Sequence, residues 1–293
     1  MKPDLLSTEK VIITAAITGG VHDKSANPAL PITPEQQAQD ALDCYNAGAA
    51  IVHIQARDSG GQSSGDVDLY SHILTLIDEK CPIIRQIGNG IGIRMDNDNR
   101  IIMPSLEERY NLLTINPQAE MHTIKAGTFE FRTPYGATTF YNPVSFNEAY
   151  IQGCNVQNIG VEIEIYDFSH IVNVKEMVEK GTLTAPLHIS LVLGIRGGAP
   201  ASARVMLNMI DALPEGSTWQ VIAVGRHHLR TTLMAIMLGG NARTGLEDTL
   251  YYKGSEPAKS NAQLVERMVR LAREVGREPA TVEEAKAILG LTR

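Results

Sequence analysis

The chain has 293 residues, of which 43% are hydrophobic and 20% are charged. This composition is typical of a globular protein with a large core, and it excludes a disordered or collagen-like chain. Asp and Glu number 33 against 26 Lys and Arg, which gives a net charge of −7. The acidic balance and an aromatic content of 5% stand against the basic, aromatic-rich surface of a nucleic-acid-binding protein.

The cysteines and the apolar runs bear on where the protein resides. Cys44, Cys81 and Cys154 form an odd set without Cys-x-x-Cys spacing, which predicts free thiols in a reducing cytoplasm. The first ten residues lack the pattern of a signal peptide, and no run approaches about 18 apolar residues. The sequence therefore predicts a cytoplasmic protein with neither a membrane nor a nucleic acid as partner.

Apolar runs rich in β-branched residues alternate with helical patterns along the whole chain. Strands are predicted at residues 11–17, 50–55, 83–87, 121–124, 160–165, 188–193, 218–224 and 242–244. Helices are predicted at residues 33–48, 66–80, 104–113, 145–151, 169–180, 201–213, 228–238 and 260–275. Capping boxes are predicted where Thr33, Ser260 and Thr281 precede a Gln or Glu by three residues.

Eight consecutive strand–helix units predict an α/β fold, a TIM (β/α)8 barrel, followed by a C-terminal helical extension that begins at Thr281. We expect a single catalytic domain over residues 1–293, because no linker rich in proline, serine or like charge interrupts the series. A doubly wound open sheet is the alternative, since the fourth and eighth predicted strands are short.

Three polar residues share one face of the second strand. His53, Gln55 and Arg57 alternate with apolar residues at the period of two that strands show. Buried polar groups in a row are costly unless each has a partner, so the pattern indicates either a hydrogen-bonded barrel layer or a functional site. The combination of the three favours a site at the C-terminal ends of the strands, where TIM barrels carry out their chemistry.

The fifth strand carries Glu162 and Glu164 on one face. Two buried carboxylates require cations or a metal ion nearby, so structural salt bridges and a binding role are both consistent with the pattern. Lys125 follows the fourth strand and is either an amine that forms a Schiff base or the ion-pair partner of one of these glutamates.

The eighth strand leads into Arg243, Glu247 and Asp248, which could provide a metal ligand, a base and the base's electrostatic partner. An arginine within about 4–6 Å of Asp248 would keep this carboxylate ionised and lower its pKa by about 1–3 units. The alternative is that Asp248 caps a helix N-terminus.

Two glycine-rich segments, at residues 88–92 and 194–198, and the segment Gly225–Arg226 follow other strands. Their backbone N–H groups could approach a phosphate, with Arg196 or Arg226 adding charge, although ordinary turns explain the glycines equally well.

The chain resembles the β-keto acid cleavage enzymes, a family of TIM-barrel proteins, over nearly its whole length. The resemblance rests on the segments Ile12–Gly19, Pro31–Glu35, Ala49–Asp58, Glu162–Asp167, Val192–Gly194, Val224–Arg226, Gly245–Asp248 and Ser260–Arg267. It implies a zinc-dependent transfer between a β-keto acid and acetyl-CoA, which gives acetoacetate and a new CoA thioester. It also implies a homotetramer or homodimer.

The family holds zinc with a His-x-His pair and the glutamate of a Gly-Leu-Glu-Asp motif, whose aspartate is the base and is held by an upstream arginine. The resemblance therefore assigns His53 and Glu247 to the metal, and Asp248 and Arg243 to catalysis. Gln55 stands where the second histidine of the pair would be, and offers only a neutral amide oxygen as the third ligand.

Residues expected to bind the substrate or CoA share positions at the mouth of the predicted barrel; they are Arg57, Asn89, Lys125, Glu162, Glu164 and Arg226. The predicted function is a metal-assisted retro-Claisen cleavage in which Asp248 removes a proton from C2 of the keto acid. Two alternatives stay open: a metal-free lyase that forms a Schiff base through Lys125, and a non-catalytic barrel that binds a small acid or CoA.

Overall fold

Eight parallel strands form a closed barrel in the computed structural model, which describes residue 7 and residues 9–98, 100–133 and 136–292. The strands follow one another around the barrel in chain order; they are β1 (Ile13–Ala16), β2 (Ile51–Ile54), β3 (Ile84–Gly88), β4 (Met121–Lys125), β5 (Gly160–Ile165), β6 (His188–Leu193), β7 (Thr218–Ala223) and β8 (Asn241–Thr244). Because β1 pairs with both β2 and β8, the TIM barrel is confirmed and the open sheet is excluded.

Helices follow the strands as the sequence predicts; they are α1 (Pro34–Ala47), α2 (Val67–Asp78), α3 (Leu106–Tyr110), α4 (Val144–Val156), α5 (Phe168–Glu179), α6 (Ala203–Ala212), α7 (His228–Met237), α8 (Asn261–Glu274) and α9 (Val282–Leu289). None of the helices in the described segments has the length and apolar character needed to cross a membrane. The thiols of Cys44, Cys81 and Cys154 are free and buried, in agreement with their odd number.

Strand residues alternate between the helix layer and the barrel interior. On β2, Val52 and Ile54 belong to the apolar cluster that also contains residues of α1 and α2. His53 lies between them and is directed to the other side, where it bonds Gln86 of β3. On β2, the apolar side chains thus hold the helices, and the polar side chain of His53 faces the interior.

The C-terminal extension closes the floor of the barrel. Residues 278–280 pair with Val11 through two backbone hydrogen bonds of 2.9 Å, Val11 N to Glu278 O and Ala280 N to Val11 O. Side chains of α9, Val282 and Leu289 among them, then pack against Ile12 in a separate apolar cluster. Burial of these side chains removes apolar surface from water at the N-terminal end of the strands, so the barrel opens at its opposite end.

The helix termini follow the predicted capping with one exception. Complete capping boxes are present at Thr33 and Thr281. At Ser260 the hydroxyl accepts the Gln263 N–H, but the Gln263 side chain accepts the N–H of Lys259 instead of closing the box. The prediction for this third box was therefore half right, because a neighbouring N–H competes for the same amide oxygen.

In the part of the chain that the structure describes, short hairpins follow three of the barrel strands, in segments where the sequence predicted no strand; one of them, after β8, pairs Tyr251–Lys253 with Glu256–Pro257. The hairpin after β3 pairs Arg94–Met95 with Ile101–Ile102, and the hairpin after β4 pairs Phe129–Thr133 with Gly136–Phe140. Their register was not visible in the sequence, because short strands outside the barrel lack a buried face that imposes alternation.

Asn261, the first residue of α8, ties the end of β8 to β1 and α1. Its Oδ1 accepts the Leu246 N–H at 2.7 Å, and its Nδ2 donates to Ile17 O at 3.0 Å and to Asp40 Oδ2 at 2.6 Å. Burial, with a smaller contribution from Asp43, raises the pKa of Asp40 to about 7. The segment that follows β8 is therefore anchored by a fully buried amide.

We predict that Asp40→Asn stabilises the protein more at pH 8 than at pH 5. The unfolded Asp40 has a pKa of about 4, so the stability it contributes is present below that pH and is lost as the pH rises through about 7. Chemical denaturation at both pH values measures the free energy of unfolding, with Asp211→Asn on the exposed face of α6 as the control. An equal effect of Asp40→Asn at the two pH values would contradict the prediction.

Candidate active site

A cavity of about 630 Å³ opens at the C-terminal ends of the strands. Seven of the residues that the sequence assigned to catalysis, the metal or the substrate lie in its wall; they are His53, Gln55, Lys125, Glu164, Arg243, Glu247 and Asp248. They come from β2, β4, β5 and β8 and the segments that follow these strands, so the closure of the barrel brings distant parts of the chain together.

Arg243 binds the two acidic residues of the Gly-Leu-Glu-Asp segment. Its Nε and Nη2 donate to the Oδ2 and Oδ1 of Asp248 at 3.0 and 3.1 Å, and Nη2 lies 2.8 Å from Oε1 of Glu247. The side chains of Arg243 and Asp248 are each 2% exposed, so solvent does not screen the ion pair. The Asp248 carboxylate bonds the guanidinium instead of capping a helix.

Two carboxylates share the charge of this arginine, that of Asp248 buried and that of Glu247 half-buried. Burial raises the pKa of Asp248, and the neighbouring Glu247 carboxylate adds to this effect, so the expected lowering by Arg243 is outweighed. Burial also opposes ionisation of Glu247, but Arg243 and His53 together lower its pKa. The predicted lowering for Asp248 was wrong because it considered the arginine without the cost of desolvation. A raised pKa makes Asp248 a stronger base than an exposed aspartate.

Gly245 allows the segment after β8 to pack against β1. Its φ is +147°, and a Cβ at this position would lie 2.0 Å from the carbonyl oxygen of Ala16. The same carbonyl accepts the Glu247 N–H at 3.2 Å. Glycine is therefore required here for close backbone contact, and this contact places Glu247 and Asp248 at the cavity wall.

A chain of hydrogen bonds fixes the orientation of His53. The Nε2 of Gln86 donates to Oε2 of Glu162 at 2.7 Å, because a carboxylate only accepts. This leaves Oε1 of Gln86 as the acceptor that faces Nδ1 of His53 at 2.9 Å. The proton of the imidazole is therefore on Nδ1. The other ring nitrogen, Nε2, is directed to Oε2 of Glu247, 3.7 Å away. Burial opposes ionisation of Glu162, but His188, Arg243 and Ser190 outweigh it and lower its pKa.

Gln55 does not join His53 and Glu247. Its Nε2 donates to the carbonyl oxygen of Ile91, and this amide lies against Gly20 and Gly92. The amide group therefore holds the segment after β3 in place at the cavity wall.

A zinc ion requires more donors than His53 and Glu247 provide. Oε2 of Glu247 is buried without a hydrogen-bond partner among the described residues and faces His53, so two donors do converge. Zinc sites in proteins use at least three ligands drawn from Cys, His, Asp and Glu, and the described residues contain no such group of three. With the Gln55 amide turned to Ile91, the residues present do not fit the zinc site that the resemblance implies.

Lys125 forms an ion pair with Glu164, one of the two partners that the sequence allowed. Nζ lies 3.2 Å from Oε2 of Glu164, and Tyr166 donates its hydroxyl to the same oxygen at 2.7 Å. The two charged side chains are 14% and 6% exposed. Burial and the adjacent Glu164 raise the pKa of Tyr166 well above its usual value, so the phenol stays a donor.

The other predicted binding residues lie outside the cavity wall. Arg57 donates to the backbone oxygens of Gly19, Gly61 and His22, which fixes the loops after β1 and β2. Asn89 is held by Arg109, Glu162 is fully buried below the cavity, and Arg226 is exposed. The sequence pattern suggested these side chains for substrate binding. In the structure, hydrogen bonds within the protein hold Arg57 and Asn89, and Glu162 is buried in the barrel.

Gln86 and Tyr166 position His53 and Glu164, and neither residue was predicted from the sequence. Gln86 is a polar residue within the buried run 83–87, so its position could have been noticed. Tyr166 follows β5 at the spacing of Glu162 and Glu164, but an aromatic residue there gives no signal of a polar contact.

Comparison with known proteins agrees with this architecture. The family model described as β-keto acid cleavage enzyme (BKACE) matches residues 10–291. The chain is 37% identical over 286 residues to the 3-keto-5-aminohexanoate cleavage enzyme of Fusobacterium nucleatum, covering 97% of this chain and 99% of the relative. It is 32% identical over 288 residues to the 3-oxoadipate:acetyl-CoA acetyltransferase of Cupriavidus necator, covering 97% and 96% of the two chains.

Among solved structures, the apo form of ObcA superposes with a TM-score of 0.74 at 17% identity. The match covers 91% of this chain and 66% of the ObcA chain, and it shows a common fold. The family model spans nearly the whole length, and both relatives are matched from end to end. The chain therefore belongs to the β-keto acid cleavage enzyme family.

Proposed function

We propose that this protein transfers an acyl group from a β-keto acid to CoA, with acetyl-CoA as co-substrate and acetoacetate as the second product. The observation that carries the proposal is the pair formed by Arg243 and Asp248 in the cavity wall. A buried carboxylate that is oriented by two hydrogen bonds and has a raised pKa suits the removal of an acidic C–H proton.

In the first step, Asp248 takes a proton from C2 of the keto acid, which lies between two carbonyl carbons. The C2 carbanion then attacks the acetyl carbonyl of acetyl-CoA, so a C–C bond forms and the C–S bond breaks with release of CoA thiolate. The thiolate attacks the original keto carbon, and the bond between C2 and C3 breaks. The new thioester leaves, and protonated Asp248 returns its proton to C2 of acetoacetate.

Arg243 stabilises the negative charge that develops on the substrate oxygens. Its Nη1 is buried and has no hydrogen-bond partner among the described residues, whereas Nε and Nη2 are engaged. An unpaired donor in a site with little solvent is worth more to a developing oxyanion than it would be in water. Because Arg243 lies in the cavity wall, we assign its guanidinium charge to the oxygens of the keto acid.

The exposed arginines at the mouth suit the phosphates of acetyl-CoA. Arg132 and Arg196 lie in the cavity wall and are exposed, and their segments are joined by a backbone hydrogen bond, Arg132 N to Arg196 O at 3.3 Å. A guanidinium group can donate two parallel hydrogen bonds to the oxygens of one phosphate group. Arg226, which the sequence suggested for this role, lies outside the wall of the cavity.

We assign no metal ion to these steps, because the donor set of His53, Gln55 and Glu247 does not fit zinc. Of the alternative functions, the Schiff-base lyase is not favoured by the contacts of Lys125, since Nζ is already engaged with Oε2 of Glu164 at 3.2 Å. The homotetramer or homodimer implied by the family resemblance stays a prediction.

We expect Asp248→Asn to lower kcat/KM by about 10²–10⁴-fold, because the amide cannot accept the C2 proton. The assay incubates the protein with acetyl-CoA and a panel of β-keto acids, and mass spectrometry measures acetoacetate and the new CoA thioester. Asp211→Asn, on the exposed face of α6, is the matched control and should keep the wild-type rate. If the wild type forms neither product with any acid of the panel, the proposed function is wrong.

We expect Gln55→His to bind zinc at least about tenfold more tightly than the wild type, because it supplies the third ligand that the site lacks. Competition with a zinc-sensitive chelator gives both affinities, and elemental analysis after dialysis gives the metal content. Gln39→His, on the exposed face of α1, controls for zinc binding by an added surface histidine. Stoichiometric zinc in the dialysed wild type would contradict our interpretation of Gln55.

A further inference from the structure

The part of the cavity next to Lys125 and Glu164 is lined by apolar and aromatic side chains. Phe129 stacks on Tyr166 with ring centroids 3.9 Å apart and on Phe140 at 5.6 Å. Val192 and Ile222 belong to the same buried cluster. We call this cluster, together with Lys125 and Glu164, the aromatic chamber.

Within the aromatic chamber, the two charges neutralise each other. Lys125 and Glu164 are register partners on adjacent strands, and Nζ lies 3.2 Å from Oε2. Nζ also lies 5.0 Å from the centre of the Phe140 ring, so the ammonium is placed between a carboxylate and an aromatic face. Glu164 in turn accepts the Tyr166 hydroxyl. Both charged groups therefore have partners before any substrate enters.

A charged substrate group would gain little in this chamber. A cation next to Glu164 would also lie next to the ammonium of Lys125, and an anion next to Lys125 would face the Glu164 carboxylate. Either group would also lose its hydration among aromatic rings, which is costly for an unpaired charge. An uncharged chain gains from apolar burial without these costs.

The reacting carbons of the keto acid are placed at Asp248, the base of the proposed function, which Arg243 holds in the cavity wall. With the reacting carbons at Arg243 and Asp248, the remainder of the keto acid extends towards the aromatic chamber, which belongs to the same cavity.

We propose that this protein selects β-keto acids whose chain beyond the keto carbon is uncharged, because Lys125 and Glu164 neutralise each other beside the apolar lining of the aromatic chamber. The inference rests on the proposed function for the placement of the reacting carbons. It differs from the substrates named for two relatives, of which one carries an amino group and the other a second carboxylate.

The test measures binding of three probes by calorimetry in the absence of acetyl-CoA: 3-oxohexanoate, 5-amino-3-oxohexanoate and 3-oxoadipate. The wild type should bind 3-oxohexanoate at least about tenfold more tightly than either charged acid. Lys125→Met leaves Glu164 without its cation and should shift the relative binding affinity at least about tenfold towards 5-amino-3-oxohexanoate. Glu164→Gln leaves Lys125 unpaired and should shift it by a similar factor towards 3-oxoadipate.

The double variant Lys125→Met with Glu164→Gln is the control, since it removes both charges and should keep the preference for the uncharged acid. Lys125→Gln serves as a second single variant if Lys125→Met unfolds, which circular dichroism reports. A wild type that binds a charged probe as tightly as 3-oxohexanoate, or single variants without opposite shifts, would overturn the inference. Selective binding without turnover on addition of acetyl-CoA would support the inference and overturn the proposed function.

Discussion

The ion pairs of Arg243 with Glu247 and Asp248 are the interaction on which the candidate active site depends. One guanidinium is held between two carboxylates where solvent has little access, and removal of one partner from a buried pair costs about 3–5 kcal/mol. The same shared charge leaves Asp248 with a raised pKa. The arrangement therefore explains both how the segment after β8 is held in place and why one of its carboxylates is suited to accept a proton.

The rest of the barrel interior follows the same requirement that every buried charge have a partner. Glu162 is satisfied by Gln86 and Ser190 below the cavity, while Glu164 is satisfied by Lys125 and Tyr166 at its wall. Two glutamates that alternate along one strand thus have different tasks. The lower one fixes His53 through Gln86, and the upper one sets the charge of the aromatic chamber.

The two ends of the barrel differ. Helix α9 closes the N-terminal end of the strands, and the cavity opens at the C-terminal end. Apolar burial at the floor excludes water from the N-terminal ends of the strands. The hairpin that contains Phe129 and Phe140 supplies the aromatic wall, which the barrel strands alone do not provide. The barrel strands and the segment after β8 thus carry the polar reacting groups, and the hairpin adds aromatic side chains to the chamber.

Much of this could be predicted from the sequence, because periodicity and helix caps are local properties. The eight strands, the helices between them and the C-terminal helix were identified, and so were Arg243, Glu247 and Asp248 as neighbours at one strand end. The sequence also shows glutamine at position 55, where the family resemblance implies a histidine, and this difference already placed the zinc site in question.

Only the tertiary structure decided which of these groups meet. The amide of Gln55 bonds Ile91, Arg57 bonds three backbone oxygens, and Lys125 pairs with Glu164, and each choice depends on loops that are distant in sequence. The pKa of Asp248 likewise depends on burial, which a sequence does not give. The sequence by itself determined the barrel and the kinds of reacting group, because these follow from local patterns. Hydrogen-bond partners and burial, which depend on the packing of distant segments, required the folded chain.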